Sequence, residues 1–173
     1  MYPDFPYQLC AGPVRLLFSK FVFKDVALGL SSFFHFHILT KANVRAGHIN
    51  FRITSTPHVR RVAGHVGYEV LEAHRGNGYA FQACLALVPL IRQYHDRIIL
   101  TADPSNRVSI HIIEKLKARF LGEVGVPRND PAYAGGARRK RRYEWIVRPH
   151  AETFQAPGQV NEHCARPVHG DGD

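Results

Sequence analysis

Cysteine is scarce in this chain, and its placement narrows the class of protein. Only three cysteines occur among the 173 residues, at positions 10, 84 and 164, and no two of them form a Cys-x-x-Cys pair. That spacing fits neither a disulfide framework nor a thiolate zinc site. His35 and His37 share one face of a predicted strand, but no third ligand has suitable spacing, so we expect them to pack rather than bind a metal. The pattern predicts a protein of a reducing compartment, the cytoplasm, without a metal.

Long apolar segments are also missing. No stretch approaches the roughly 18 consecutive apolar residues of a membrane-spanning helix. The first 15 residues are acidic before they are basic and contain no long apolar run, which makes them a poor signal peptide. We therefore expect a soluble protein that does not bind membranes.

Acidic side chains are few relative to basic ones. The chain has 14 Asp and Glu against 23 Lys and Arg, a formal net charge of +9, which favours anionic partners such as nucleic acid or a phosphorylated cofactor. Five basic residues form one run, Arg138–Arg142, which we interpret as a solvated loop. The alternative is a nucleic-acid-binding module, but the sequence has no recognition-helix motif and no pattern of stacking aromatics.

The first half of the chain has the pattern of β-strands. Ile49, Phe51 and Ile53 alternate with polar neighbours, as in a half-buried strand. Similar segments predict four strands, at residues 14–23, 33–39, 48–56 and 62–71, joined as an antiparallel meander. Residues 1–13 are expected to be irregular.

Helical spacing begins after residue 78. Apolar residues recur every three or four positions from Ala80 to Tyr94, and Pro89 is expected to kink or shorten this helix. The remaining elements are a strand at 97–101, a helix after the capping residues 103–106, a strand within 117–126, a loop at 127–141 and a last strand at 143–147. We expect one α+β (mixed α/β) domain over residues 14–149 and a disordered tail at 150–173.

Two glycines, one residue apart, separate the fourth strand from the first helix. In Arg75-Gly-Asn-Gly-Tyr-Ala80 they would let the backbone N–H groups of a helix start approach an anion closely. The alternative is a plain strand-to-helix turn. The chain has no Gly-Lys-Ser or Gly-Lys-Thr, which excludes a Walker A loop. Phe81 replaces the third glycine of a dinucleotide fingerprint, which disfavours a nucleotide-dependent oxidoreductase.

The same loop resembles the coenzyme A motif of the GNAT superfamily of N-acetyltransferases, (Gln/Arg)-x-x-Gly-x-(Gly/Ala), with Arg75, Gly78 and Ala80 at its three defined positions. A second segment, from Asn106 to Leu116, resembles the superfamily's pattern Asn-x-x-Ser-x-x-x-x-Glu-Lys-Leu. The resemblance covers residues 45–148. It implies a GNAT-like fold, with a central, mostly antiparallel twisted sheet flanked by helices.

The resemblance also implies acetyl-coenzyme A (acetyl-CoA) as cosubstrate. Backbone groups of Tyr68, Glu69 and Val70 would pair with the pantetheine arm like an added strand. Asn106 and Ser109 would hydrogen-bond the pantetheine region, although Asn106 could also be a helix cap. Arg75 would support the pyrophosphate, which would bind the amides of Gly76, Asn77, Gly78, Tyr79, Ala80 and Phe81.

The chemistry implied by the resemblance is acyl transfer from a thioester to a neutral amine. The Val70 N–H would be the donor to the oxyanion. For the general base, His65 and Glu69 share one face of the fourth strand, and a base acting through water is an open alternative.

The sequence departs from the family at two positions. Ile113 stands where many members carry a tyrosine that protonates the leaving thiolate, and Lys117 stands at a usual glycine. Tyr133 and Tyr143, in or near the loop at 127–141, are alternative candidates for the acid. The expected function is N-acetylation of a primary amine on a small molecule or a protein. Ile113 leaves open a catalytically silent domain that senses coenzyme A, and the sequence leaves open both a monomer and a homodimer.

Overall fold

Two separate antiparallel sheets form the framework of the protein. The computed structural model describes residues 8–147, so residues 1–7 and the tail expected at 150–173 lie outside the described part. The first sheet has the order β1-β2-β3-β4-β5 and the second the order β6-β8-β7. Their strands are β1 Cys10–Ala11, β2 Val14–Val22, β3 Phe33–Leu39, β4 Arg45–Arg52, β5 Val66–Val70, β6 Arg97–Ala102, β7 Arg119–Gly125 and β8 Arg139–Ile146.

The meander predicted for the first half is confirmed. Strands β2 to β5 pair consecutively and antiparallel. Phe34, Phe36 and Ile38 point into the core, while His35 and His37 lie on the opposite face because successive side chains of a strand alternate.

The fourth strand is shorter than predicted. Residues Val59–Ala63 form a single π-helical turn, and β5 begins only at Val66. The break lies at Gly64, whose φ is +68°, and a Cβ there would lie 3.0 Å from the Thr101 N. A positive φ and a close backbone approach together favour glycine, so the apolar pattern alone could not reveal the interruption.

Helix α1, Tyr79–Ile91, covers the core face of the first sheet. Its buried side includes Ala83, Leu87 and Ile91, each fully shielded from solvent. The helix ends two residues after Pro89, in keeping with the expected shortening, because proline removes one helical hydrogen bond and its ring crowds the carbonyl four residues earlier.

The second sheet contains most of the basic run. Helices α2, Arg107–Lys115, and α3, Pro131–Ala134, precede β7 and β8 respectively. The prediction of a loop over 127–141 is wrong in part, because α3 forms within it and β8 begins at Arg139. Buried Tyr143 and Trp145 anchor β8. The α+β class is confirmed.

Candidate active site

The edge of β5 that faces the second sheet is free of a strand partner. Strand β5 pairs with β4 and β6 pairs with β8, and within residues 8–147 no ladder joins β5 to β6. The two sheets meet just before β5, where the His65 N–H donates to the Ile99 carbonyl at 2.8 Å. Beyond that contact, a gap bordered by backbone donors and acceptors separates the sheets.

Alternation along β5 determines which backbone groups face this gap. Leu71 donates its N–H to the Ala46 carbonyl of the first sheet at 2.8 Å. Because backbone groups alternate between the two edges of a strand, Glu69 also turns its backbone toward β4, whereas Tyr68 and Val70 turn theirs toward the gap. Of the three residues predicted to pair with pantetheine, Tyr68 and Val70 therefore turn backbone groups toward the gap, where the Val70 carbonyl already accepts from the Arg75 Nε at 3.1 Å.

A cavity of about 310 Å³ occupies the gap, and we call it the inter-sheet cavity. Its inner wall comes from β5, β6 and α2, and its outer wall from the π-helical turn, the 127–141 segment and the start of β8. The inner wall includes Gly67, Tyr68, Thr101, Ser109 and Ile113, and the outer wall includes His58, Val62, Asp130, Ala132 and Lys140.

The Tyr68 hydroxyl is buried in this wall without a partner. Among the described residues no group hydrogen-bonds it with ordinary geometry. Burial raises the pKa of Tyr68 to about 12, an effect that the neighbouring Ser109 hydroxyl partly opposes. The phenol therefore stays protonated at neutral pH and has a free donor, which is a site for a ligand acceptor atom because a buried unpaired hydroxyl is costly. Ile113, on the same wall, offers no proton.

The glycine loop, residues 75–81, has open space around both glycines. Gly76 and Gly78 have φ values of +80° and +71°, and a Cβ at either would meet nothing within 4 Å. The Asn77 amide donates to the carbonyls of His74 and Arg75, not to the loop N–H groups. Helix α1 has no side-chain cap. Its first N–H groups are therefore available to an anion.

Arg75 and Asn106 already make internal contacts. The Arg75 Nε donates to the Val70 carbonyl at 3.1 Å, which ties the glycine loop to the end of β5. The Asn106 Oδ1 accepts the Ser109 N–H at 3.0 Å and caps α2. The capping role of Asn106 is thus present, whereas its contact with pantetheine stays a prediction. Ser109 itself lines the cavity.

His65, one of the two predicted bases, lies inside the protein with both ring nitrogens engaged. It is 1% exposed. Its Nδ1 lies 3.0 Å from the Ile99 nitrogen and 3.2 Å from the Ile99 carbonyl oxygen, and its Nε2 lies 2.7 Å from the Ser55 hydroxyl. Burial lowers the pKa of His65 to about 4. These contacts fasten the sheets together and leave no ring nitrogen for an acceptor amine.

The other predicted acids and bases, Glu69, Tyr133 and Tyr143, are not among the residues that line the cavity. Glu69 is exposed and lies across from His48, on the opposite face of the sheet from Tyr68. Its role as base stays a prediction that no contact in the cavity supports. Tyr143 is 2% exposed in the core, and the Tyr133 ring lies under the Arg138 guanidinium at 3.9 Å.

Sequence reasoning missed a histidine–carboxylate pair on the outer wall. The His58 Nδ1 lies 2.6 Å from the Asp130 Oδ2, and both residues line the inter-sheet cavity. The two are 72 positions apart, and their surroundings show no shared motif. The Asp130-Pro131 dipeptide indicates a turn, but it does not indicate which side chain the carboxylate meets.

Within residues 8–147, no group of three or more His, Cys, Asp or Glu side chains could hold a metal ion. The same part of the chain contains no helix long and apolar enough to span a bilayer.

Sequence comparison decides the family. The family model of the acetyltransferase (GNAT) domain matches residues 14–119, which is more than half of the chain. The chain belongs to the GNAT acetyltransferase family. The resemblance to this family seen in its two motifs is thereby confirmed. No curated protein matches this GNAT chain significantly.

Solved structures show the same fold at low identity. A proposed ribosomal-protein-serine acetyltransferase from Vibrio cholerae superposes with a TM-score of 0.55 at 14% identity, over 84% of this chain and 99% of that one. The ribosomal-protein-S5-alanine acetyltransferase from Vibrio fischeri gives 0.50 at 20%, over 66% and 62%. The microcin C7 self-immunity acetyltransferase, solved with acetyl-CoA and AMP, gives 0.50 at 16%, over 65% and 59%.

These matches show the fold of the chain, but they do not identify the amine that it acetylates. The GNAT chain spans 60% to 66% of the length of several other family structures. The mostly antiparallel sheet flanked by helices, expected from the resemblance, is confirmed as a GNAT fold. Two structural neighbours were solved with acetyl-CoA. Which amine this chain acetylates has to be argued from its own site.

Proposed function

We propose that this chain is an N-acetyltransferase that transfers the acetyl group of acetyl-CoA to a primary amine. The observation that carries the proposal is the glycine loop, whose N–H groups face open space directly beside the free edge of β5. A diphosphate matches the first feature because anions bind at helix N-termini. An extended amide-containing arm matches the second because it can add to a strand edge.

The residues present fit acetyl-CoA. The amides of residues 76–81 would hold the pyrophosphate, and Tyr68 and Val70 would pair with the pantetheine arm through their backbones. The Tyr68 hydroxyl, which has no partner among the described residues, offers a further donor. When bound, the thioester supplies an acetyl group that is activated for attack by an amine. The Val70 N–H faces the gap, where it would stabilise the negative charge that develops on the acetyl oxygen.

The acceptor belongs to the proposal as well. We infer a primary amine, of either a small molecule or a protein N-terminus. Three of the structural neighbours are named as ribosomal-protein acetyltransferases, which supports including protein N-termini in an acceptor screen. A catalytically silent domain that binds coenzyme A is the second candidate, since Ile113 offers no proton at the cavity. Product detection across a panel of amines separates the two.

Isothermal calorimetry with acetyl-CoA tests the binding step. We expect saturable binding to the wild type and at least a tenfold loss of affinity in Gly78→Leu, because the side chain would enter the space above the loop amides. Gly29→Leu is the matched control, since Gly29 has a similar φ of +75°, also with nothing within 4 Å, but lies far along the chain from the glycine loop. It should share the backbone strain and keep wild-type affinity. No saturable binding at millimolar acetyl-CoA, or equal affinities in the two variants, would defeat the proposal.

A further inference from the structure

The pair formed by His58 and Asp130 has no role in the proposed binding of acetyl-CoA. We propose that His58, oriented by Asp130, is the general base that removes the proton from the acceptor amine. The inference rests on the proposed acetyl transfer and names the group that makes the amine nucleophilic. It also assigns the outer wall of the inter-sheet cavity to the acceptor.

The carboxylate of Asp130 is held in a fixed position. Its Oδ1 accepts the Ala132 N–H at 2.8 Å and so caps the short helix α3. Its Oδ2 is then directed at the His58 Nδ1, at 2.6 Å. The Asp130 side chain is 8% exposed, so water competes little for these contacts, and hydrogen bonds to a shielded carboxylate are strong.

This contact determines the tautomer of His58. A carboxylate only accepts hydrogen bonds, so the Nδ1 carries the proton and the Nε2 holds the lone pair. Within residues 8–147 no hydrogen bond occupies that Nε2, and the imidazole is 27% exposed on the cavity wall. His58 therefore has what His65 lacks, namely an accessible basic nitrogen oriented by a second group.

The backbone beneath His58 is rigidly held. The Val59 N–H donates to the Thr56 hydroxyl at 3.2 Å, and the Thr101 hydroxyl donates to the Val62 carbonyl at 2.8 Å. The first contact fixes the start of the π-helical turn, and the second fastens the turn to β6. A base that must meet a reacting atom benefits from such support, because small displacements cost large factors in rate.

The proton transfer fits the charges around the cavity. The amine gives one proton to the Nε2 of His58, its nitrogen forms a C–N bond to the acetyl carbon, and the C–S bond breaks so that the sulfur leaves as a thiolate. The thiolate takes a proton from solvent, and the imidazolium later releases its own proton to solvent. Asp130 stabilises the imidazolium, whereas the ammonium of Lys140, on the same wall, opposes it. Lys140 also repels a protonated amine and so favours the neutral form, which is the form that can attack the acetyl carbon.

Kinetics of three variants test the pair. The assay measures release of the coenzyme A thiol from acetyl-CoA in the presence of alaninamide, benzylamine or putrescine. The variants are then compared with the amine that the wild type acetylates fastest. General-base catalysis is worth about 10²- to 10⁴-fold, so we expect His58→Ala to lower kcat by at least 100-fold. The affinity for acetyl-CoA should stay unchanged. Asp130→Asn should lower kcat with an unchanged KM for acetyl-CoA, because it only positions the base.

Imidazole rescue distinguishes catalysis from structure. Added imidazole should restore activity to His58→Ala, by entering the space left by the side chain, and should not restore it to Asp130→Asn. His111→Ala, which removes an exposed histidine of α2, is the matched control and should behave as the wild type. His58→Gln, with a side chain closer in size, serves if the alanine variant does not fold.

Three outcomes would overturn the inference. The first is a kcat within threefold of wild type in a folded His58 variant. The second is a loss of activity that imidazole does not reverse in His58→Ala. The third is a wild type that binds acetyl-CoA and acetylates none of the three amines. Failure of the proposed function is recognised in the wild type itself, which would then bind no acetyl-CoA or, as in the third outcome, acetylate no amine. The first two outcomes leave acetyl transfer by the wild type intact and count against His58 alone.

Discussion

Replacing Gly47 with alanine tests how closely β4 approaches the strand that borders the inter-sheet cavity. Gly47 pairs with Val70 in the β4–β5 ladder. A Cβ at position 47 would lie 2.1 Å from the Glu69 carbonyl oxygen and 3.0 Å from the Val70 Cα. Both neighbours are backbone atoms, so they cannot rotate away as a side chain would. The strands would have to separate by about 1.5 Å to reach ordinary van der Waals distances.

The magnitude follows from the cost of overpacking. Forcing an extra methyl group into a packed region costs about 1–3 kcal/mol. With a urea m value near 2 kcal/mol/M, typical of small domains, the midpoint of unfolding should fall by about 0.5–1.5 M. The displaced segment includes Val70, whose N–H faces the gap, so the affinity for acetyl-CoA should fall as well.

Urea unfolding followed by circular dichroism is the assay, and Gly125→Ala is the matched control. Gly125 also lies in a strand, and an added Cβ there would meet nothing within 4 Å. Its replacement should leave the midpoint unchanged or raise it slightly, because alanine reduces the entropy of the unfolded chain. Equal midpoints for Gly47→Ala and the wild type would refute the close approach of β4 to β5.

Two further predictions concern stability. Burial lowers the pKa of His65 from 6.5 to about 4, so the unfolded state binds a proton that the folded state refuses. The free energy of unfolding should therefore fall by up to about 3 kcal/mol between pH 6.5 and pH 4. In chemical denaturation at several pH values, His65→Gln should lack that part of the slope; an unchanged slope would contradict the assignment. Lys117 has a φ of +62° at the end of α2. Lys117→Gly should raise the free energy of unfolding by roughly 1 kcal/mol, and a lower urea midpoint would contradict this.

The sheets could be predicted where one face alone is buried. Phe34, Phe36 and Ile38 alternate with polar neighbours because β3 has a core face and an open face, so both the strand and its boundaries can be read from the sequence. The π-helical turn could not be read in this way. Val59 and Val62 are both buried. Two apolar residues at that spacing beside a strand do not distinguish a helical turn from a longer strand.

The candidate site was predictable only where it is local in sequence. The glycine loop and the cap at Asn106 each depend on residues within a few positions, so a motif describes them. The contact between His58 and Asp130 depends on how the 127–141 segment folds over the π-helical turn. No spacing rule encodes that arrangement. His65 shows the converse limit. Its position just before β5 suggests a base, whereas its contacts in the structure join the two sheets.

The basic run, Arg138–Arg142, bears on the alternative function of nucleic-acid binding. The run was interpreted as a solvated loop, yet in β8 Arg139 and Arg141 each lie 3.0 Å from a carboxylate oxygen of Glu123. Burial is slight at these pairs, so their effect on stability is small. Their effect on charge is larger, because a carboxylate between two guanidiniums removes part of the positive field that a nucleic-acid surface needs.

The other members of the run also have partners inside the protein. Arg142 donates to the Arg60 carbonyl of the π-helical turn at 2.7 Å, and Arg138 covers the Tyr133 ring. Both contacts attach the strand or its preceding loop to the outer wall, and Lys140 lines the cavity itself. A run that holds this wall in place is better explained by an acceptor site than by a binding surface for DNA or RNA. The excess of basic residues, which first suggested nucleic acid, is thus consistent with a protein that binds the phosphates of a cofactor and positions a base beside them.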